Sequence, residues 1–160
     1  MSTVQSATVS LGVRATETLT SIPALSTEAT LTHNRFNVTR NLSPTSTPPV
    51  TRHGAYETAL AGGVLDIDLT ALQTSQGAVD CTGLKLQTLF IKNTGLNVLT
   101  VDAHATNGYE VNGTSSITVR PGGEVLINYY DGQADVAAGS KIIQVAGTTG
   151  DIPQVELLLG

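Results

Sequence analysis

Short apolar runs recur along residues 54–160, and a turn signal follows most of them. Leu65, Ile67 and Leu69 alternate with polar neighbours, which is the two-residue period of a strand with one face in water. Similar runs follow at 84–92, 98–102, 116–119, 124–129, 141–146 and 154–159. No stretch shows convincing helical periodicity. About seven strands spaced about 12–15 residues apart predict an all-β domain, an antiparallel β-sandwich of jelly-roll type or a small barrel.

Two pairs of these runs are separated by tight-turn residues. Asn93-Thr94-Gly95 lies between the runs at 84–92 and 98–102, and Pro121-Gly122 lies between those at 116–119 and 124–129. Proline at the second turn position followed by glycine favours a tight reversal. Both pairs are therefore predicted to be β-hairpins.

Composition supports strands over helices. The chain has 160 residues, of which 24 are threonine and only 13% are charged. Threonine and valine favour strands because a branched Cβ stiffens χ1 and packs well on a pleated sheet. Low charge and 40% hydrophobic residues also argue against a long disordered chain.

Residues 1–53 differ from the rest and are interpreted as an N-terminal arm and linker before a β-sandwich domain at 54–160. Val9, Leu11 and Val13 alternate like a strand, and the segment at 30–39 does so less cleanly. Pro44, Pro48 and Pro49 make 42–53 a linker candidate, because proline cannot pair inside a sheet. Two alternatives stay open: 42–53 is a long surface loop of one domain, or 1–41 adds strands to the same sandwich.

Charge excludes some partners. The formal net charge is −5, which opposes a general nucleic-acid binder. Residues 1–60 carry four arginines against three glutamates, a net of +1, whereas 61–160 carry four bases against ten acids, a net of −6. The single cysteine, Cys81, allows no intrachain disulfide and is expected to be a small buried hydrophobe. No apolar stretch approaches the length of a membrane span and the N-terminus lacks a signal-peptide pattern, so we expect no membrane partner.

Motifs for catalysis or cofactor binding are weak. No nucleophile elbow occurs, and a triad of Asp102, His104 and Ser115 or Ser116 rests on residue type alone. Asp66 and Asp68 alternate outward on one strand, yet calcium-loop spacing and zinc-ligand spacing are both missing. We therefore predict no enzymatic activity, no metal and no cofactor.

A glycan site is the chemical alternative. Sandwich lectins present aromatic rings and amide side chains from their loops. The candidates here are Asn107, Tyr109, Tyr129 and Tyr130, in a chain without tryptophan. Because consecutive strand residues face opposite ways, the simpler interpretation is that one of Tyr129 and Tyr130 packs and the other lies at an edge or interface.

Several segments of residues 60–160 resemble virion structural proteins of tailed bacteriophages, and the pattern is most like that of a small capsid decoration (head cement) protein. The segments are VLDIDLTAL at 64–72, LFIKNTG at 89–95, LTV at 99–101, ATNGY at 105–109, ITVRPGGEVL at 117–126 and VELLLG at 155–160. The resemblance implies a β-sandwich without enzymatic activity that binds the major capsid protein. It also implies residence in the virion after synthesis in the bacterial cytoplasm, and a homotrimer.

The N-terminal arm, residues 1–53, is expected to bind the capsid shell or a neighbouring subunit. Its contact candidates are Arg14, Arg35, Phe36, Arg40 and Arg52, because arginine holds carboxylates with two parallel hydrogen bonds and the resemblance implies a shell that is acidic outside. Leu31, Phe36 and Val38 would add apolar burial. The alternatives are a receptor- or glycan-binding module of a phage tail or fibre, and a carbohydrate-binding module outside any virus.

Overall fold

A computed structural model describes residues 3–19, 29–130 and 133–160; the side chains of 17–19 and 29–36 lie outside that description. The chain divides into two compact units. One unit is Thr8–Asn41, and the other contains the residues up to Ala7 together with Leu42–Gly160. Within the described residues, no helix is long and apolar enough to cross a membrane.

The unit Thr8–Asn41 contains nearly all of two long strands that pair with each other. They are β1 (Ala7–Leu19) and β2 (Ala29–Leu42), and together they are called the N-terminal hairpin below. Side-chain hydrogen bonds join Thr8 to Asn41 over 3.2 Å and Ser10 to Thr39 over 3.3 Å. These two contacts define an antiparallel register that places Val38 opposite Leu11. The alternation of apolar and polar residues in β1 follows the pleat of this ladder.

The second unit is built from short strands. In chain order they are β3 (Arg52–Glu57), β4 (Val64–Asp68), β5 (Leu72–Thr74), β6 (Gly77–Val79), β7 (Leu86–Asn93), β8 (Leu99–Ala103), β9 (Ile117–Val119), β10 (Glu124–Asn128), β11 (Ile142–Ala146) and β12 (Pro153–Leu159). A 3₁₀ turn at Leu69–Ala71 follows β4. It is capped by Asp68, whose carboxylate accepts a hydrogen bond from the Thr70 amide over 2.8 Å.

Eight of these strands form a jelly roll. One sheet has the order β10-β7-β12-β3, the other has the order β4-β11-β8-β9, and all the pairings within them are antiparallel. Among these eight strands, β8 and β9 are consecutive within one sheet, and every other connection changes sheet. This strand order is that of an eight-stranded jelly roll. The predicted fold class is confirmed, while β5 and β6 form a small extra hairpin in the β4–β7 connection.

The two predicted hairpins are wrong in their pairing. β7 lies in the first sheet and β8 in the second, and β9 and β10 are separated in the same way. The reversal at Pro121-Gly122 does occur: the Gly123 amide donates to the Arg120 carbonyl over 2.8 Å, and Gly122 adopts a left-handed φ of 71°. Turn residues specify that the chain reverses, but they do not specify which strand it then pairs with.

The core lies between the two sheets. Leu89, Ile91 and Leu157 point inward from the first sheet, and Val101 and Ile143 point inward from the second. Cys81 is fully buried among them, as expected from the sequence, and its desolvation raises the pKa of the thiol to about 11.

The proline-rich segment before β3 is hydrogen-bonded to the jelly roll. Val50 is buried and its amide donates to Ser43, while the Thr51 amide donates to the Leu159 carbonyl over 2.8 Å. The Val4 amide in turn donates to the Thr51 carbonyl. Residues 52 and 53, assigned to the arm in the sequence analysis, form the first two positions of β3 and pair with β12.

Candidate docking surfaces

The predicted arginine contacts are divided between the two units. Arg14 is exposed on β1, and Arg40 is half-buried on β2. Arg52 faces Leu159 on the core side of β3 and donates to the Thr51 carbonyl over 3.1 Å, so little of it is presented outward. The side chains of Arg35 and Phe36 lie outside the described residues.

The N-terminal hairpin is amphipathic. Val9, Leu11 and Val13 share one face with Val38, because Val38 lies opposite Leu11 and successive side chains of a strand alternate. Leu11 is 43% exposed, Val38 52% and Val13 68%. Thr8, Ser10, Arg14, Thr39 and Asn41 occupy the other face. The hairpin therefore presents an apolar face, defined by Leu11, Val13 and Val38, to its surroundings.

The outer face of the β10-β7-β12-β3 sheet carries an apolar strip. Phe90, Leu126 and Leu158 alternate with core residues and so point away from the core; all three are half-buried. Phe90 lies directly between Leu126 and Glu156 in the ladder. These three residues are called the outer strip below.

A shallow depression of about 260 Å³ adjoins the outer strip, and its wall includes Ala55, Phe90 and Glu156. Charged and polar side chains lie on the same face of the sheet. Lys92 pairs with Glu124 over 2.9 Å, and His53 lies 3.8 Å from Glu156. The Gln154 amide donates to Glu57 over 3.1 Å.

The outer face of the second sheet is polar instead. Gln144 donates to Asp66 over 2.8 Å, and Lys141 donates to Asp68 over 3.1 Å. Burial opposes ionisation of Asp68, but hydrogen bonds from Thr70 and Lys141 outweigh it and lower the pKa of this carboxyl group. His104 lies 4.0 Å from Asp66, whereas Asp102 accepts a hydrogen bond from the Ala103 amide. No group of three metal-ligating side chains occurs in the part of the chain that the structure describes.

One end of the jelly roll presents an apolar tip, defined by Leu96, Val98 and Ile152. Leu96 is 91% exposed, and the other two are also exposed. The loop that carries Leu96 and Val98 joins β7 to β8, and the loop that carries Ile152 joins β11 to β12. Residues 93–95 predict a simple hairpin turn, and this local pattern contains no signal for the apolar tip.

Side-chain hydrogen bonds hold the two loops of the apolar tip together. Buried Asn93 donates to the Asn97 carbonyl over 2.7 Å and accepts from the Gly95 amide over 3.0 Å. Asn97 donates to Asp151 over 3.2 Å, and the Thr94 hydroxyl donates to the Ile152 carbonyl. The exposed aliphatic side chains therefore stand on an ordered base.

The four glycan-contact candidates do not form a sugar platform. Tyr109 is fully buried; its hydroxyl donates to the Ala134 carbonyl over 2.6 Å and accepts from the Leu86 amide over 3.1 Å. Tyr129 packs against the core and donates to the Val111 carbonyl over 2.5 Å.

Burial raises the pKa of both of these hydroxyls. Asn107 is exposed, with a φ of 57°, and its carbonyl accepts hydrogen bonds from the amides of residues 141 and 142. Tyr130 is also exposed. Tyr129 thus packs while Tyr130 faces outward, as the alternation of strand residues indicated.

Comparison with known proteins adds one structural likeness. No protein-family model matches the chain, and no curated protein matches it by sequence. Among solved structures, the cryo-EM structure of the extra small virus (XSV) VLP of the giant freshwater prawn Macrobrachium rosenbergii matches with a TM-score of 0.28 and 14% identity. The match covers 73% of this chain and 83% of that chain. The jelly-roll assignment rests on the strand order.

Proposed function

We propose that this chain is a non-enzymatic structural protein of a phage virion, a decoration protein that binds the outer surface of the capsid and stabilises it. The observation that carries the proposal is the apolar tip, where an exposed leucine stands on a hydrogen-bonded base. Exposed apolar groups on an ordered surface are typical of protein docking sites. The jelly roll, a fold that occurs in capsid and lectin domains, is compatible with this role.

The tip suits a rigid contact with the major capsid protein. Full burial of a leucine side chain stabilises a contact by about 1.5–3 kcal/mol. Because the base is already ordered, binding loses little conformational entropy. A single tip of three aliphatic residues gives a weak contact, so a homotrimer that binds through three tips would gain avidity. Localisation in the virion follows from the same proposal.

Substitution of Leu96 tests the proposal. Leu96→Ser removes the most exposed apolar group, and we expect association with shells built from the major capsid protein of the same genome to weaken by about tenfold or more. Co-sedimentation with those shells measures it. Val64→Ser is the matched control, because Val64 is also exposed but lies on β4 outside the tip.

Three results would count against the proposal. One is a wild-type protein that does not sediment with the shells, and another is Leu96→Ser sedimenting as well as Val64→Ser does. The third is glycan-array binding by residues 42–160 without any shell binding, which would favour the receptor- or glycan-binding module instead.

A further inference from the structure

We infer that the N-terminal hairpin of one copy packs its apolar face over the outer strip of a second copy. The contact joins copies of this chain in solution and does not depend on whether the protein binds a shell. It goes beyond the proposed function by assigning both sides of the homo-oligomer interface.

The donor side is a two-stranded sheet that needs a partner. An isolated two-stranded hairpin is at best marginally stable in water, and a third strand or a packed layer is what stabilises it. In this hairpin the apolar face formed by Leu11, Val13 and Val38 is exposed to a large extent. The polar side of the hairpin, with Thr8, Ser10 and Arg14, suits contact with water.

The acceptor side is the outer strip. Phe90, Leu126 and Leu158 lie on three adjacent strands, and their side chains stand outside the core cluster. Two sheets pack face to face when their apolar side chains interdigitate across about 10 Å. The depression of about 260 Å³ beside Phe90 offers space for an aliphatic side chain from an opposing sheet.

Charge favours this pairing between acidic copies. The outer strip is bordered by three glutamates, Glu57, Glu124 and Glu156. Lys92 lies on the same face and pairs with Glu124. On the hairpin, Arg40 lies two residues from Val38 on β2 and so shares the apolar face that meets this sheet, whereas Arg14 lies on the other face. Copies with a formal charge of −5 repel one another, so contact through a basic hairpin and an acidic sheet face lowers that repulsion and selects the partner surface.

The area of the hairpin face indicates that each copy both donates its hairpin and accepts the hairpin of another copy. A 13-residue strand is about 43 Å long, so one face of the two-stranded hairpin covers about 400 Å². Stable interfaces use about 800 Å² from each partner. Each head-to-tail contact therefore supplies about half of that area, and a closed ring compensates because every chain is held twice, once as donor and once as acceptor, in accord with the proposed trimer.

Oligomeric state without shells gives the first test. We expect the wild-type chain to sediment as a trimer at micromolar concentration, and the double variant L11S/V13S to sediment at one third of that mass. Thr16→Ser with Asn37→Ser, exposed on the polar face of the hairpin, is the control and should stay trimeric. A monomeric wild type, or a trimeric L11S/V13S, would overturn the inference.

Site-directed cross-linking gives the second test and identifies the occupant. In a Cys81→Ala background, a mixture of Val13→Cys chains and Leu126→Cys chains should form a disulfide-linked dimer, while each variant alone should not. A disulfide between two Val13→Cys chains would show that two hairpins pack against each other. A chain that carries both cysteines and forms an intramolecular disulfide, without forming dimers, would show that the hairpin packs on the sheet of its own chain. Either result would refute the inference.

The two proposals fail independently. If only the shell contact is wrong, Leu96→Ser has no effect on shell binding, while L11S/V13S still sediments as a monomer. If only the copy contact is wrong, Leu96→Ser weakens shell binding, while L11S/V13S keeps the mass of the wild type.

Discussion

Tyrosine hydroxyl groups tie the long loops of the jelly roll to its core. Tyr109 lies in the β8–β9 connection and reaches both β7 and the β10–β11 connection, while Tyr129 holds the Val111 carbonyl. A buried tyrosine usually finds a hydrogen-bond partner for its hydroxyl, because an unpaired buried polar group is costly. These rings are structural, and the aromatic content of the loops is therefore a poor guide to a binding surface.

Loss of the Tyr109 hydroxyl should destabilise the fold. Tyr109→Phe removes two hydrogen bonds and leaves the amide of residue 86 and the carbonyl of residue 134 without them, so we expect the free energy of unfolding to fall by about 2 kcal/mol. Urea unfolding measures it. Tyr56→Phe is the control: its hydroxyl accepts from an exposed amide at Gln73 that water can satisfy. Equal losses for the two variants would contradict the assignment.

Alkaline pH should destabilise the protein through Cys81. Burial raises the pKa of this thiol from 9.0 to about 11, so the folded chain keeps a proton that the unfolded chain releases. The stabilisation is present below pH 9 and is lost as the pH rises from 9 to about 11. Unfolding free energies measured across that window should fall more steeply for the wild type than for Cys81→Ala. Parallel slopes would show that the thiol makes no contribution.

At the scale of elements, sheet-changing connections define this fold. The β7–β8 connection leaves one sheet and enters the other within five residues, 94–98. Asn93 stabilises this path from inside, because its buried amide also donates to the Val119 carbonyl over 2.9 Å and so links β7 to the end of β9. The hydrogen bonds of the Asn93 side chain thus stabilise this connection, which lacks the backbone hydrogen bonds of a β-hairpin.

Asn93→Ala should therefore be costly. It removes three hydrogen bonds at a fully buried position, and we expect the free energy of unfolding to fall by about 3 kcal/mol. Asn97→Ala loses one side-chain bond at an exposed position and should cost less than about 1 kcal/mol. Thermal unfolding of both variants compares them, and a smaller effect at Asn93 than at Asn97 would be inconsistent with this role.

At the scale of the whole molecule, the two compact units predict different effects of truncation. Replacing residues 8–41 by a short Gly-Ser linker removes one unit, and the hydrogen bond between Thr8 and Asn41 shows that the two ends are close enough for such a linker. The jelly roll should keep its cooperative unfolding. Deleting 1–53 instead removes buried Leu42 and Val50 and the start of β3, so we expect a loss of about 4 kcal/mol or more.

Calorimetry on both truncated proteins checks this difference. Cooperative melting of the 8–41 replacement near the wild-type temperature is the expected result. Loss of cooperativity in that variant would show that the hairpin belongs to the same folding unit as the jelly roll. If residues 54–160 alone were as stable as the wild type, the segment around Val50 would make no contribution to the stability of the jelly roll.

The sequence by itself determined the strands and the fold class. Alternation at Leu65, Ile67 and Leu69, and again at Val9, Leu11 and Val13, is a local pattern with the period of a pleated strand, so it can be read without knowing the fold. The buried thiol and the opposite facing of Tyr129 and Tyr130 followed from equally local chemistry. The acidic β-domain and its more basic N-terminal segment were also visible in the sequence.

Only the tertiary structure decided which strands pair and which side chains remain on the surface. The partner of β7 is β10 on one side and β12 on the other, at sequence distances where no local pattern operates. Leu96 and Phe90 are similar as apolar residues in the sequence, yet one stands at an exposed loop tip and the other on a half-buried sheet face. The exposure of a side chain depends on every element packed around it, and chain neighbours do not encode that arrangement.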